Sequence, residues 1–393
     1  MTRAPCAGAA ANTPTPLGLP ENQPPCWANR KLSGFRPMSS VSPLDVKCFT
    51  ILNENIEVGI CTFGATVTSL KTRDKEGQMG DVLLGFNSVE GWMSDACPSM
   101  NCCVGRTAGR NGPILVVDGQ EWKLPGCDGG GGGIDPTTNL HGGFVWQKAN
   151  WEVIETTATT VTLRNSEPEG PFPGDLSATV KFSVLNNDFA MEYSAETTAA
   201  TPVSFTNHCY WDLSAGKDKN TFAHTLYIDA DSISPDDGSG NGLPTGEHRP
   251  LGGSQQDLTS ARTMEDIIAS QAEANPLFPH GEEYNLTQNV GKDWNRLGAR
   301  ELPHVATLSH PPSGRVMEIR TSEPCIQTYY ATLLDDMGAE KCKDGRCYGK
   351  YGAVCLEAQR HANAEAGKDI PSRILRPGEI YHQLTIHRFP DPR

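Results

Sequence analysis

The chain has 393 residues and a formal charge of −14, from 33 Lys+Arg against 47 Asp+Glu. That balance disfavours nucleic acid and an anionic membrane surface as partners, since both need clustered Lys and Arg, and no apolar run approaches the ~20 residues of a bilayer span. Forty glycines and 29 prolines favour short strands joined by tight turns over a helical bundle, because both residues interrupt a helix.

Residues 1–44 stand apart: four basic residues (Arg3, Arg30, Lys31, Arg36) against the single acid Glu21 give +3, which leaves −14 − 3 = −17 for the rest. Rich in Pro, Ala and Asn, the segment cannot bury enough apolar surface to offset its chain entropy and is expected to be disordered. From Asp45 onward the dominant period is two. Ile56, Val58 and Ile60 alternate with Glu57 and Gly59. The run Gly129–Gly133 is too flexible for regular structure, and no Lys-Ser/Thr follows it as a phosphate loop requires. Val180, Phe182 and Val184 alternate with polar residues; Asn186-Asn187-Asp188 turns the chain; Phe189, Met191 and Tyr193 resume the alternation. This predicts a hairpin, its turn built from residues that tolerate positive φ. A short helix is expected around Ala261–Gln271, and strands around Val316–Ile319 and Tyr381–Phe389. Strand patterns recur over more than 300 residues with no composition break, so residues 45–393 read as one all-β domain, a large antiparallel β-sandwich.

The 13 cysteines are scattered and match no zinc spacing, which suits buried free thiols in a reducing compartment. The chain start lacks the apolar core of a secretory signal, so a cytoplasmic location is expected; the basic, acid-poor extension leaves an organelle transit peptide as the alternative.

Three segments could carry chemistry. In Thr138-Asn139-Leu140-His141-Gly142-Gly143, an imidazole precedes two glycines that let a ligand approach the backbone. In Ser204-Phe205-Thr206-Asn207-His208-Cys209-Tyr210-Trp211, a strand would place Thr206, His208 and Tyr210 on one face, a polar and aromatic surface suited to a sugar. In Ala353-Val354-Cys355-Leu356-Glu357-Ala358-Gln359, a carboxylate stands in an apolar strand, where burial raises its pKa towards neutrality. Each residue taken alone has a structural reading. Together, His141, His208 and Glu357 suffice to move protons on and off oxygen without a cofactor. They are also zinc-ligand types, but separations of 67 and 149 residues lack the short local spacing usual in zinc sites, so no metal is expected. There is no G-x-S-x-G elbow for a nucleophilic serine.

Nine segments, in order, resemble the galactose mutarotase, or aldose 1-epimerase, family: Phe63-Gly64-Ala65-Thr66-Val67, Asp81-Val82-Leu83-Leu84-Gly85-Phe86, Gly105-Arg106-Thr107-Ala108-Gly109-Arg110, Asn139-Leu140-His141-Gly142-Gly143, Thr206-Asn207-His208-Cys209-Tyr210, Leu243-Pro244-Thr245-Gly246-Glu247, Glu323-Pro324-Cys325-Ile326-Gln327, Cys355-Leu356-Glu357 and Leu375-Arg376-Pro377-Gly378-Glu379. The resemblance covers residues 46–390 and implies the family's supersandwich fold. It implies catalytic roles for Glu357 (base), His208 (acid) and His141 (second imidazole), and substrate contacts at Arg110, Asp257 and Gln327, with Asn207 and Tyr210 from the His208 motif. The implied reaction is interconversion of α and β anomers of hexopyranoses such as galactose and glucose by acid-base ring opening and closure. A small aldose is the expected partner, and the chain a monomer or weak dimer. The alternatives are a hexose-6-phosphate epimerase, which needs an Arg or Lys cluster, and a non-catalytic sugar-binding module, which would lose the acid or the base. Departures from the pattern are Gly109 and Ala358 in place of the family's usual Asn and Thr, Glu283-Tyr284 in place of Asp-His, and Trp211 in place of a Phe or Tyr.

Overall fold

The computed structural model describes residues 41–94, 99–126, 138–276, 280–287, 302–334, 337, 342–367 and 370–392. Residues 1–40 of the extension and the run Gly129–Gly133 lie outside the described residues. The domain boundary expected at residue 45 falls within a short 3-10 turn, Pro43–Asp45, whose last carbonyl accepts a hydrogen bond from Asn150 Nδ2.

A nine-stranded antiparallel sheet forms the largest layer. Its spatial order is Glu152–Thr156, Thr160–Glu167, Leu176–Leu185, Asp188–Thr197, Tyr381–Arg388, Arg315–Thr321, His304–His310, Thr225–Ile228 and Arg262–Thr263. The expected hairpin lies within it: Leu185 pairs with Asp188 across Asn186-Asn187, and Asn186 takes φ 53°. Along Leu176–Leu185 the even positions Leu176, Ala178, Val180, Phe182 and Val184 are buried and the odd positions are open, as a strand with one covered face requires. The expected helix is observed at Met264–Ala274, capped by Thr263, whose side chain accepts from Asp266 N.

A five-stranded sheet carries the chemistry, in the order Arg249–Pro250, Ala230–Ser234, Glu283–Leu286, Cys325–Tyr329, Cys355–Gln359. Its residues Ile233, Tyr284, Ile326, Leu356 and Ala358 join the large sheet's Val180, Phe182, Tyr193 and Met317 in one continuous apolar core, to which the four-stranded N-terminal sheet contributes Ile51, Val58 and Val67. The alternate residues Glu283, Cys325, Gln327, Glu357 and Gln359 therefore point to the other side. Pairing aligns Ser234, Glu283, Gln327 and Glu357 in one row across four strands. The fold is the all-β sandwich expected.

Candidate active site

The polar row opens into a cavity of about 150 Å³ whose lining includes Arg110, His141, His208, Tyr210, Gln327 and Glu357. Each is placed by a separate device. Glu357 sits mid-strand and is 2% exposed. His208 follows the two-residue strand Thr206–Asn207 and is clamped by its own backbone: its N–H donates to Cys102 O (3.0 Å) and its carbonyl accepts from Asn101 N (2.9 Å). Three residues on, Trp211 and Val354 exchange backbone hydrogen bonds of 2.9 and 3.0 Å, which ties this segment to the strand of Glu357.

His141 takes φ 52° and Gly142 φ 64°. A Cβ at Gly142 would lie 2.5 Å from Gly105 O, so the glycine is required both for the left-handed turn and for the close approach. Gly109 N–H donates to His141 Nδ1 at 3.2 Å. A neutral ring that accepts at Nδ1 carries its proton on Nε2, so His141 is a hydrogen-bond donor through Nε2. Arg110 adjoins it, because the strand Arg110–Asn111 pairs with Asn139–Leu140.

His208 Nε2 and Glu357 Oε1 are 3.6 Å apart. His141 crosses His208 edge-on at 5.5 Å, and Tyr210 stacks on it at 5.1 Å with 17° between planes. His208 Nδ1 and Glu357 Oε2 are buried with no hydrogen-bond partner among the described residues. Burial pushes the Glu357 carboxyl up to about 8, partly countered by Arg110. Burial pushes His208 down to about 4, and drives His141 well below its usual range with help from the charges on His208 and Arg110. At neutral pH the pair thus holds one titratable proton, on the carboxyl rather than the imidazole. Two buried groups with opposite shifts and unused hydrogen-bonding capacity form a poised acid-base couple. The donor atoms of His141, His208 and Glu357 also lie within 4.8 Å of one another, close enough to share a divalent cation. Separation along the chain was therefore no guide to their spatial separation.

Two of the expected substrate contacts, Asp257 and Asn207, are not among the described residues that line the cavity. Asp257 turns its carboxylate to Thr259 N and Oγ1, at 2.9 and 2.6 Å, closing its own loop. Asn207 donates to Asn101 O and accepts from Cys209 Sγ, beneath the His208 turn. Among the residues that sequence reasoning missed, Asp236, His280, Glu282 and Tyr329 line the cavity, and so does Glu283, noticed only as a departure from a motif. The spacing of Glu283, Gln327 and Glu357 along the chain carried no signal of their shared row.

A family model for aldose 1-epimerase matches residues 47–388. The chain belongs to that family. It is 31% identical over 351 residues to galactose mutarotase from Homo sapiens, covering 88% of this chain and 94% of that one. To galactose mutarotase from Rattus norvegicus it is 30% identical over 349 residues, with the same coverage. An aldose epimerase homologue of known structure from C. elegans superposes with a TM-score of 0.76 at 25% identity, over 88% of this chain and all of that one. Among the described residues no helix is long and apolar enough to cross a membrane.

Proposed function

We propose that this aldose 1-epimerase acts on neutral hexopyranoses such as galactose and glucose, and that His208 and Glu357 exchange one proton with the sugar during ring opening and closure. The observation that carries the reading is the buried His208–Glu357 pair, 3.6 Å apart in the cavity, with its oppositely shifted pKa values. A sugar hydroxyl placed on Glu357 Oε2 supplies the hydrogen bond this atom lacks, and with Arg110 it favours the carboxylate over the acid. The displaced proton is then held by His208. Glu357 accepts the proton of the anomeric hydroxyl while His208 protonates the ring oxygen, and the C1–ring-oxygen bond breaks to give the open-chain aldehyde. Rotation about C1–C2 presents the other carbonyl face. Closure reverses both transfers and restores the pair. The Nε2 donor of His141 and the guanidinium of Arg110 orient and polarise sugar oxygens.

The cavity's charge supports a neutral sugar over a phosphorylated one. Arg110 is the only Lys or Arg among the described lining residues, against Asp236, Glu282, Glu283 and Glu357. Arg106, which the sequence places near it, is fully buried and spent on Glu167, Thr201 and the carbonyls of Pro173 and Gly174. The reading extends to a monomer or weak dimer in the cytoplasm. Of the nine cysteines among the described residues seven are buried, which suits a reducing compartment.

Polarimetry on freshly dissolved α-glucose and α-galactose, with glucose 6-phosphate in parallel, tests the proposal. Accelerated mutarotation of the neutral sugars is expected. A clear preference for the phosphorylated sugar would overturn it.

A further inference from the structure

Beside the catalytic pair lies a second cluster that the proposed chemistry does not use. Glu283, Cys325 and His361 are 2%, 0% and 3% exposed, and their carboxylate oxygen, thiol sulfur and imidazole nitrogen lie within 4.8 Å of one another. We propose that these three side chains form a binding site for a borderline divalent cation of the zinc type.

The geometry supports this in four ways. Glu283 and Cys325 stand on the same face of neighbouring strands of the five-stranded sheet, two pairs apart in register, and His361 lies two residues beyond the end of Cys355–Gln359. Second, His361 Nδ1 and Glu283 Oε1 are 3.4 Å apart. That is long for a charge-assisted hydrogen bond, but two ligands at ~2.0–2.1 Å from a tetrahedral zinc are separated by about 3.3–3.4 Å. Third, the other carboxylate oxygen is already anchored. Glu283 Oε2 accepts from Ala362 N (3.0 Å) and Gln359 Nε2 (3.3 Å), which orients Oε1 towards the imidazole and thiol, as outer hydrogen bonds do for metal-bound carboxylates. Fourth, thiol, imidazole and carboxylate together suit zinc, cobalt or nickel rather than calcium or magnesium. The exposed His248 ring lies 5.2 Å from that of His361. On binding, the Cys325 S–H proton, directed at Gln359 O (3.1 Å), passes to solvent and the thiolate takes the ion. The ion ties the 360–362 loop to the sheet, and because Glu283 lines the sugar cavity it stiffens that wall.

The full-length chain, stripped with a chelator, is titrated with Co²⁺ and Zn²⁺. The expected result is one ion per chain, a thiolate-to-cobalt charge-transfer absorption with tetrahedral d–d bands, and a melting temperature that rises with zinc concentration. Cys325→Ser should abolish the charge-transfer band, and His361→Gln should weaken binding if the serine variant folds poorly. Gln359→Ala keeps every ligand but frees Oε2, and should weaken binding by roughly 10–100-fold. His208→Asn should leave the cobalt spectrum unchanged. Absence of stoichiometric binding, a spectrum without thiolate, or binding lost in His208→Asn but kept in Cys325→Ser overturns the proposal; the last result would put the ion on the catalytic cluster.

Discussion

The two main sheets treat their faces differently. Leu176–Leu185 of the nine-stranded sheet buries every second residue, whereas Cys355–Gln359 of the five-stranded sheet buries all five. Glu283–Leu286 likewise buries all four of its residues. Along Leu176–Leu185 one face meets the core and the other is open, so polarity along the strand reports orientation. In the smaller sheet the second face meets the cavity and its loops, so burial there brings carboxylate, thiol, amide and imidazole together out of water. The first sheet's buried residues supply stability. Those on the second sheet's cavity face hold ionisable groups away from solvent, at a cost to stability.

That contrast sets four expectations, from the largest effect down. His208→Asn should lower kcat by roughly 10²–10⁴-fold in polarimetry while KM changes far less. The double variant with Glu357→Gln should be little worse, because the two groups act in one proton exchange. Phe182, fully buried in the large sheet, should behave oppositely. Phe182→Ala should cost about 3–5 kcal/mol in denaturant unfolding and leave kcat of the folded fraction near normal.

Gly142→Ala tests the turn that aims His141. With φ 64° and a Cβ 2.5 Å from Gly105 O, the turn must shift, costing on the order of 1–3 kcal/mol and more activity than an equally destabilising core variant. The smallest effect concerns Glu357 itself. Its folded pKa of about 8 lies above the ordinary 4.5, so its contribution to stability is complete below about 4.5 and is lost as pH rises through 8. Glu357→Gln should therefore match the wild type near pH 4.5 and exceed it at pH 8 by on the order of a few kcal/mol, measured by chemical denaturation.

The same contrast explains what the sequence showed. The Val180–Tyr193 hairpin and the helix after Thr263 were legible because each has one wet face, and the polarity pattern records it. His141, His208 and Glu357 were legible because each stands in a distinctive local motif. The row joining Glu283 to Gln327 and Glu357 was not, because cross-strand register between distant segments leaves no periodic trace. The Thr259 contacts of Asp257, which close its loop, were not legible for a related reason: they depend on local backbone geometry that its motif does not record.

The central claim is that His208 and Glu357 share one proton, and the pH dependence of kcat/KM for mutarotation tests it most directly. Because burial sets His208 near 4 and Glu357 near 8, the singly protonated pair exists between those values. A bell-shaped profile is predicted: activity falls below pH 4, where the pair gains a second proton and has no base, and above pH 8, where it loses its only proton and has no acid. In Glu357→Gln the limb near 8 should vanish along with most of the rate. A variant with near-normal kcat/KM and both limbs intact would show that Glu357 is a structural or sugar-binding carboxylate, and the account would fail.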